Sequence, residues 1–151
     1  MNTPEEMLKK AQTLSLDQVF KRAVSPSSTN LDLLKREYQR FLVLAFIASN
    51  SSEKFPCRPP PMIDDVWHAH ILFTRQYESD CKLVGGHFLH HTPEIVRNED
   101  KEQHFHDGVY LLKKYREYFN EDAPTVIWPT PVKPQDPNEQ IYDSWCGRSC
   151  G

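Results

Sequence analysis

The side chains able to carry chemistry are concentrated in the middle of the chain. All seven histidines fall between His68 and His106. The segment IDDVWHAHILFTRQYESDC, residues 63–81, places Asp64 four residues before His68. In a helix one turn separates such a pair, so a carboxylate and an imidazole approach the same point. Together they can ligate one metal ion, or the carboxylate can orient the imidazole. The plainer alternative is an ion pair near a helix N-terminus, worth a fraction of a kcal/mol. His68 and His70 do not combine in a helix, because at about 100° per residue they point about 200° apart. HxH serves one metal on a strand, where i and i+2 share a face. The helical period of this segment therefore favours His68, with Asp64 beside it, over His70.

More nitrogen follows in Gly86-His87-Phe88-Leu89-His90-His91. This loop can fold back along the preceding helix, so that His90 or His91 completes a site with His68. Consecutive histidines diverge, which leaves one as ligand and the other exposed or hydrogen-bonded elsewhere. Imidazole and carboxylate donors together suit zinc, iron or another divalent transition metal. The competing reading is a buried polar network that holds the loop onto the helix, since buried histidines need partners in either case. Tyr77 and His90 are the groups that could assist as proton donors. His104 and His106 are read as surface residues of the last helix.

The cysteines carry a weaker pattern. Cys146-x3-Cys150 is not a CxxC knuckle, and a four-cysteine zinc site with Cys57 and Cys81 lacks the usual two tight pairs. Arg148 lies between Cys146 and Cys150, and a nearby cation lowers a thiol pKa, so that pair is the place for thiol redox sensing.

The elements that must position these groups read as helices. Residues 4–23 are helix-like, with a possible break near Ser15, where Ser15 and Gln18 have capping-box spacing. Asn30 caps a helix reaching about Ala48, with Leu31, Leu34, Tyr38, Phe41, Leu42 and Ala45 on its apolar face. A third long helix is predicted from Met62 to Val84, with Gly85-Gly86 ending it. Ile63, Trp67, His70, Thr74, Tyr77, Cys81 and Val84 form one stripe along it at alternating spacings of four and three, which packs into the core. Cys81 then acts as a small buried hydrophobe. Thr92-Pro93-Glu94 reads as another N-cap, and a final helix spans about Asp100 to Phe119, using Phe105, Val109, Leu112, Tyr115 and Phe119. Five prolines between Pro124 and Pro137 exclude a helix beyond Asn120, and Trp128 and Trp145 are expected to anchor this strap. The expectation is an all-α bundle of about four to five helices over residues 1–128, with a proline-rich strap and Cys/Gly tail over 129–151.

Length and composition set the outer bounds. A chain of 151 residues, 38% hydrophobic and 26% charged, suits one domain with a real core. A net charge of −3 and the lack of a basic stripe argue against a nucleic-acid partner. The apolar run from Phe41 to Ala48 is too short for a transmembrane helix, which needs about 20 residues, so no membrane association is expected. The N-terminus has acids and no apolar h-region, so free thiols in the cytoplasm are expected.

The same stretches resemble a known family. Asp64, Trp67-His68, Ile71 to Arg75, Tyr77 and Cys81, followed by Gly86, Phe88, His90-His91 and Pro93, are similar to the bacterial branch of the glycine-rich domain-containing protein-like family. YREYFNEDAPTVIWP, residues 115–129, and the terminal CGRSCG resemble its later segments. Asn120 stands where that pattern has glycine, and the glycine-rich tail is nearly absent. The resemblance implies a helical domain without fixing an activity, and it favours His68 and His91 over His70.

No nucleophile–base triad, phosphate-binding glycine loop or dinucleotide fingerprint is present. The reading that follows is binding of a divalent metal (zinc or iron) or a small ligand through Asp64, His68 and His91. Trp67, His70, Tyr77, Cys81 and His90 are the supporting residues. Its alternatives are a protein-interaction module with structural histidines, and redox sensing through Cys146 and Cys150.

Overall fold

The computed structural model describes residues 2–24, 30–50, 54–92 and 101–134. The described residues form six helices and no strand: α1 (Pro4–Gln12), α2 (Asp17–Ala23), α3 (Leu31–Asn50), α4 (Pro61–Leu72), α5 (Thr74–Gly85) and α6 (Lys101–Phe119). The all-α architecture expected from the sequence is therefore present. The additional helix comes from a break that the sequence does not announce.

Local chemistry explains most boundaries. Thr3 and Glu6 make a reciprocal capping box at α1, with Pro4 in its first turn. The break near Ser15 exists, but its mechanism differs from the expected one: Leu16 is the N-cap of α2 and makes no side-chain cap bond. Leu16 is instead fully buried, so packing rather than capping places this turn. Asn30 caps α3 by accepting from the Leu33 amide at 3.1 Å. Helix α3 is the central element. Its second half is buried on nearly every side, and it packs against α1, α4 and α5.

The predicted single helix from Met62 to Val84 is two helices. Phe73, at φ −82° and ψ 64°, leaves the helical region close to the inverse γ-turn conformation. Its amide bonds the His70 carbonyl, and its own carbonyl accepts from Tyr77 to open α5. Thr74, which was assigned to the buried stripe, is exposed at this break. The rest of the stripe (Ile63, Trp67, His70, Tyr77, Cys81 and Val84) is buried. The break has a tertiary cause. Residues ten apart in a straight helix are separated by about 15 Å along the axis. Here the Trp67 indole N–H donates to the Tyr77 hydroxyl at 2.9 Å, and His70 Nε2 meets Asp80 at 2.9 Å. Only a chain folded back at Phe73 can make both bonds.

Helix α6 also buries a different face from the expected one. His104, Asp107, Gly108, Leu111 and Tyr115 point inward, whereas Val109 is exposed and Phe105 and Leu112 are half-buried. His104, expected at the surface, is buried against Arg58 at 2.6 Å, and Arg58 also lies 3.4 Å from Asp107. His106 is exposed, as expected. The strap is anchored by Trp128, 1% exposed, whose indole N–H donates to Glu37 at 3.0 Å. The same fully buried carboxylate accepts from the Tyr115 hydroxyl at 2.7 Å and pairs with Arg36. Thr92-Pro93-Glu94 lies largely, and Trp145, Cys146 and Cys150 lie entirely, outside the described residues. No helix among the described residues is long and apolar enough to cross a membrane.

Candidate metal centre

Asp64 and His68 stand one turn apart near the start of α4, and the Asp64 Oδ1 to His68 Nε2 distance is 3.3 Å. Asp64 lies in the first turn, where the exposed amides favour a negative charge. The chain then runs to Phe73, reverses, and returns through α5. Gly86 caps α5 in the left-handed conformation, with φ 82°, and turns the chain toward α4. Leu89 is buried, and its carbonyl accepts from the Tyr77 hydroxyl at 2.5 Å. Two residues later His91 arrives beside His68, with the two Nε2 atoms 2.6 Å apart. His91 Nε2 is also 3.5 Å from Asp64 Oδ1.

The structure thus brings together Asp64, His68 and His91, with one ligand atom of each lying within 4.8 Å of the others. All three are half-buried, with side-chain exposures of 26%, 32% and 14%. The His91 ring lies 4.2 Å from the Trp67 ring at 37°, a tilted stack that holds the imidazole from its face. Burial, and then the neighbouring His68, push the His91 pKa down, so its neutral, ligating form is favoured.

The distances bear on what the cluster can hold. With metal–ligand bonds of about 2.0–2.1 Å, the edges of a tetrahedron are about 3.3 Å. Both Asp64-to-histidine separations already have that length. The two imidazole nitrogens are closer, at hydrogen-bond distance, and must part by about 0.7 Å to match the same edge.

The other candidates have separate places. His70 is 1% exposed, with Nδ1 2.7 Å from the Tyr38 hydroxyl and Nε2 against Asp80. Asp80 needs a donor, so Nε2 carries the proton and Tyr38 donates to Nδ1. His70 joins α3, α4 and α5 and takes no part in the cluster. His90 is exposed, with its ring 4.8 Å from Phe88. Tyr77 does not offer a proton to the cluster: its hydroxyl donates to Leu89 and accepts from Trp67, and burial pushes its pKa up. Cys81 is a buried free thiol, raised in pKa by desolvation. The Trp67–Tyr77–Leu89 connection and the buried Glu37 network were not foreseen. Glu37, lying between Leu34 and Tyr38 on the apolar face, was the signal available for the second.

Comparison with known proteins adds the family. The sequence model of the UCP032817-like family matches residues 5–127, well over half of the chain. No curated protein and no solved structure matches significantly. The chain belongs to the UCP032817-like family, a name that specifies no reaction.

Proposed function

We propose that this member of the UCP032817-like family binds a divalent transition metal, zinc or iron, through Asp64, His68 and His91. One observation carries the reading. Three donors of the right chemistry, from two separate chain segments, converge within 4.8 Å, and two of their three separations equal tetrahedral edges. Three protein ligands are the number found in catalytic sites, which keep a position open, rather than in closed structural ones. A bound ion would supply Lewis-acid chemistry and lower the pKa of a coordinated water. The chain's own part is to present two imidazoles and one carboxylate at a partly exposed surface. The resemblance of the Trp67-His68 and His90-His91 pieces to the glycine-rich domain-containing protein-like family remains a proposal resting on those residues.

A second reading is favoured by the short His68–His91 distance. Without an ion, that contact is a hydrogen bond closing the loop onto α4, as in a module whose histidines are structural. Cobalt(II) separates the two readings. In the first, cobalt titration gives the intense visible absorption of a four-coordinate site in the wild type, and His91→Ala loses it. A wild-type spectrum no different from aqueous cobalt would leave the structural role alone.

A further inference from the structure

We infer that Tyr77 is the positioning residue of this centre, holding His91 against His68 through the Leu89 carbonyl and the Trp67 indole. The inference rests on the metal reading above. Two of the three donors sit on one helix, so their separation is set by the helix itself. The third comes from a loop with no regular structure, and its placement needs a separate cause. The Tyr77 hydroxyl provides that cause. It donates to Leu89, two residues before His91, and accepts from Trp67, whose ring stacks on His91. One oxygen therefore fixes the backbone of the loop and the ring that faces the ligand.

Tyr77 itself is held on both sides. The His70 ring meets it edge-on at 5.0 Å and the Phe88 ring at 5.3 Å. A phenylalanine would occupy the same slot, so removing the hydroxyl deletes the two bonds without emptying the site. Loop order that the native protein holds in advance would then have to be acquired when the ligand binds, and affinity would fall. Outer partners of metal ligands commonly change affinity by about 10–100-fold when lost.

The test is zinc affinity, measured by competition with a chromophoric chelator, for wild type, Tyr77→Phe and Tyr115→Phe. Tyr115 is as deeply buried and also donates a hydrogen bond, but to Glu37 under the strap. Both variants are expected to melt earlier. Only Tyr77→Phe is expected to weaken zinc binding, by about 10–100-fold, with X-ray absorption of its zinc-loaded form showing one imidazole fewer. Wild-type affinity in Tyr77→Phe overturns the inference and leaves the metal reading standing. An equal loss in Tyr115→Phe overturns it too, because the effect would then follow stability alone. A wild type that binds no zinc removes the metal reading and this inference together. Should Tyr77→Phe not fold, Trp67→Phe tests the indole limb, deleting its bond to the hydroxyl while keeping a ring beside His91; wild-type zinc affinity there overturns the part assigned to that limb, and a loss of about 10-fold or more supports it.

Discussion

Replacing Gly85 by alanine sets two opposing effects against each other, and their sizes decide the sign. Gly85 is the last residue of α5, where alanine is the better helix former by about 1 kcal/mol. A Cβ built there would lie 2.0 Å from Phe46 Cδ1 and 2.3 Å from Cε1. Ordinary carbon contacts lie at about 3.5–4.0 Å, so ring and helix must part by about 1.5 Å. Phe46 is 1% exposed and meets the His87 ring edge-on at 5.3 Å, so its ring is enclosed. Overpacking of this kind costs about 1–3 kcal/mol, and so large an overlap belongs at the upper end. The net expectation is a loss of about 2 kcal/mol, or about 4–8 °C in Tm for a domain of this size. Urea unfolding followed by far-UV circular dichroism reads it as a lower midpoint at unchanged slope. Equal or greater stability of Gly85→Ala would refute the packing of α5 on α3 described above.

Four further outcomes are expected. Glu37→Leu removes the acceptor of the Tyr115 hydroxyl and of the Trp128 indole N–H, while Arg40 keeps its pair with Glu121, and should cost about 1–3 kcal/mol for each lost bond by chemical denaturation. His70→Leu takes the buried Tyr38 hydroxyl's partner away, at about 1–3 kcal/mol, while Asp80 keeps the Gln76 amide as a donor; chemical denaturation reads the loss. Asn120→Gly should stabilise by up to about 1 kcal/mol, because Asn120 sits at φ 55°, where only glycine is free of steric cost. In metal-free protein the His91 pKa lies below its unfolded value of about 6.5, so the unfolded chain takes up the proton first. His91's contribution is thus complete above pH about 6.5 and is lost as pH falls through its lower folded value, a trend that His91→Ala should flatten in pH-dependent melts.

Helix positions were legible wherever the cause was local. Asn30, Pro61 and Gly86 marked boundaries because capping and left-handed geometry act within a few residues. The break at Phe73 was not legible: no proline, glycine or side-chain cap stands there, and the bonds that impose it join residues ten positions apart. The inward face of α6 was misplaced for a related reason. Its pattern, 104-107-108-111-115, has helical spacing but begins with a histidine and an aspartate. Their partner Arg58 comes from the connector before α4, and that pairing cannot be read from periodicity. The approach of Asp64 to His68 follows from spacing alone. Which of His90 and His91 faces α4 is left open by the sequence, and in the structure a hydroxyl and a carbonyl that no motif records hold His91 there.

The measurement closest to the central claim is metal stoichiometry by elemental analysis. Purified protein would be loaded with zinc, desalted, and compared with His68→Ala and His91→Ala prepared alongside. His68 is the most exposed of the three, and circular dichroism of the variants alongside separates loss of a ligand from loss of the fold. One zinc per chain is expected in the wild type and a substoichiometric trace in both variants. Wild type without retained zinc, or variants that keep it fully, would contradict the assignment of Asp64, His68 and His91 as a metal centre.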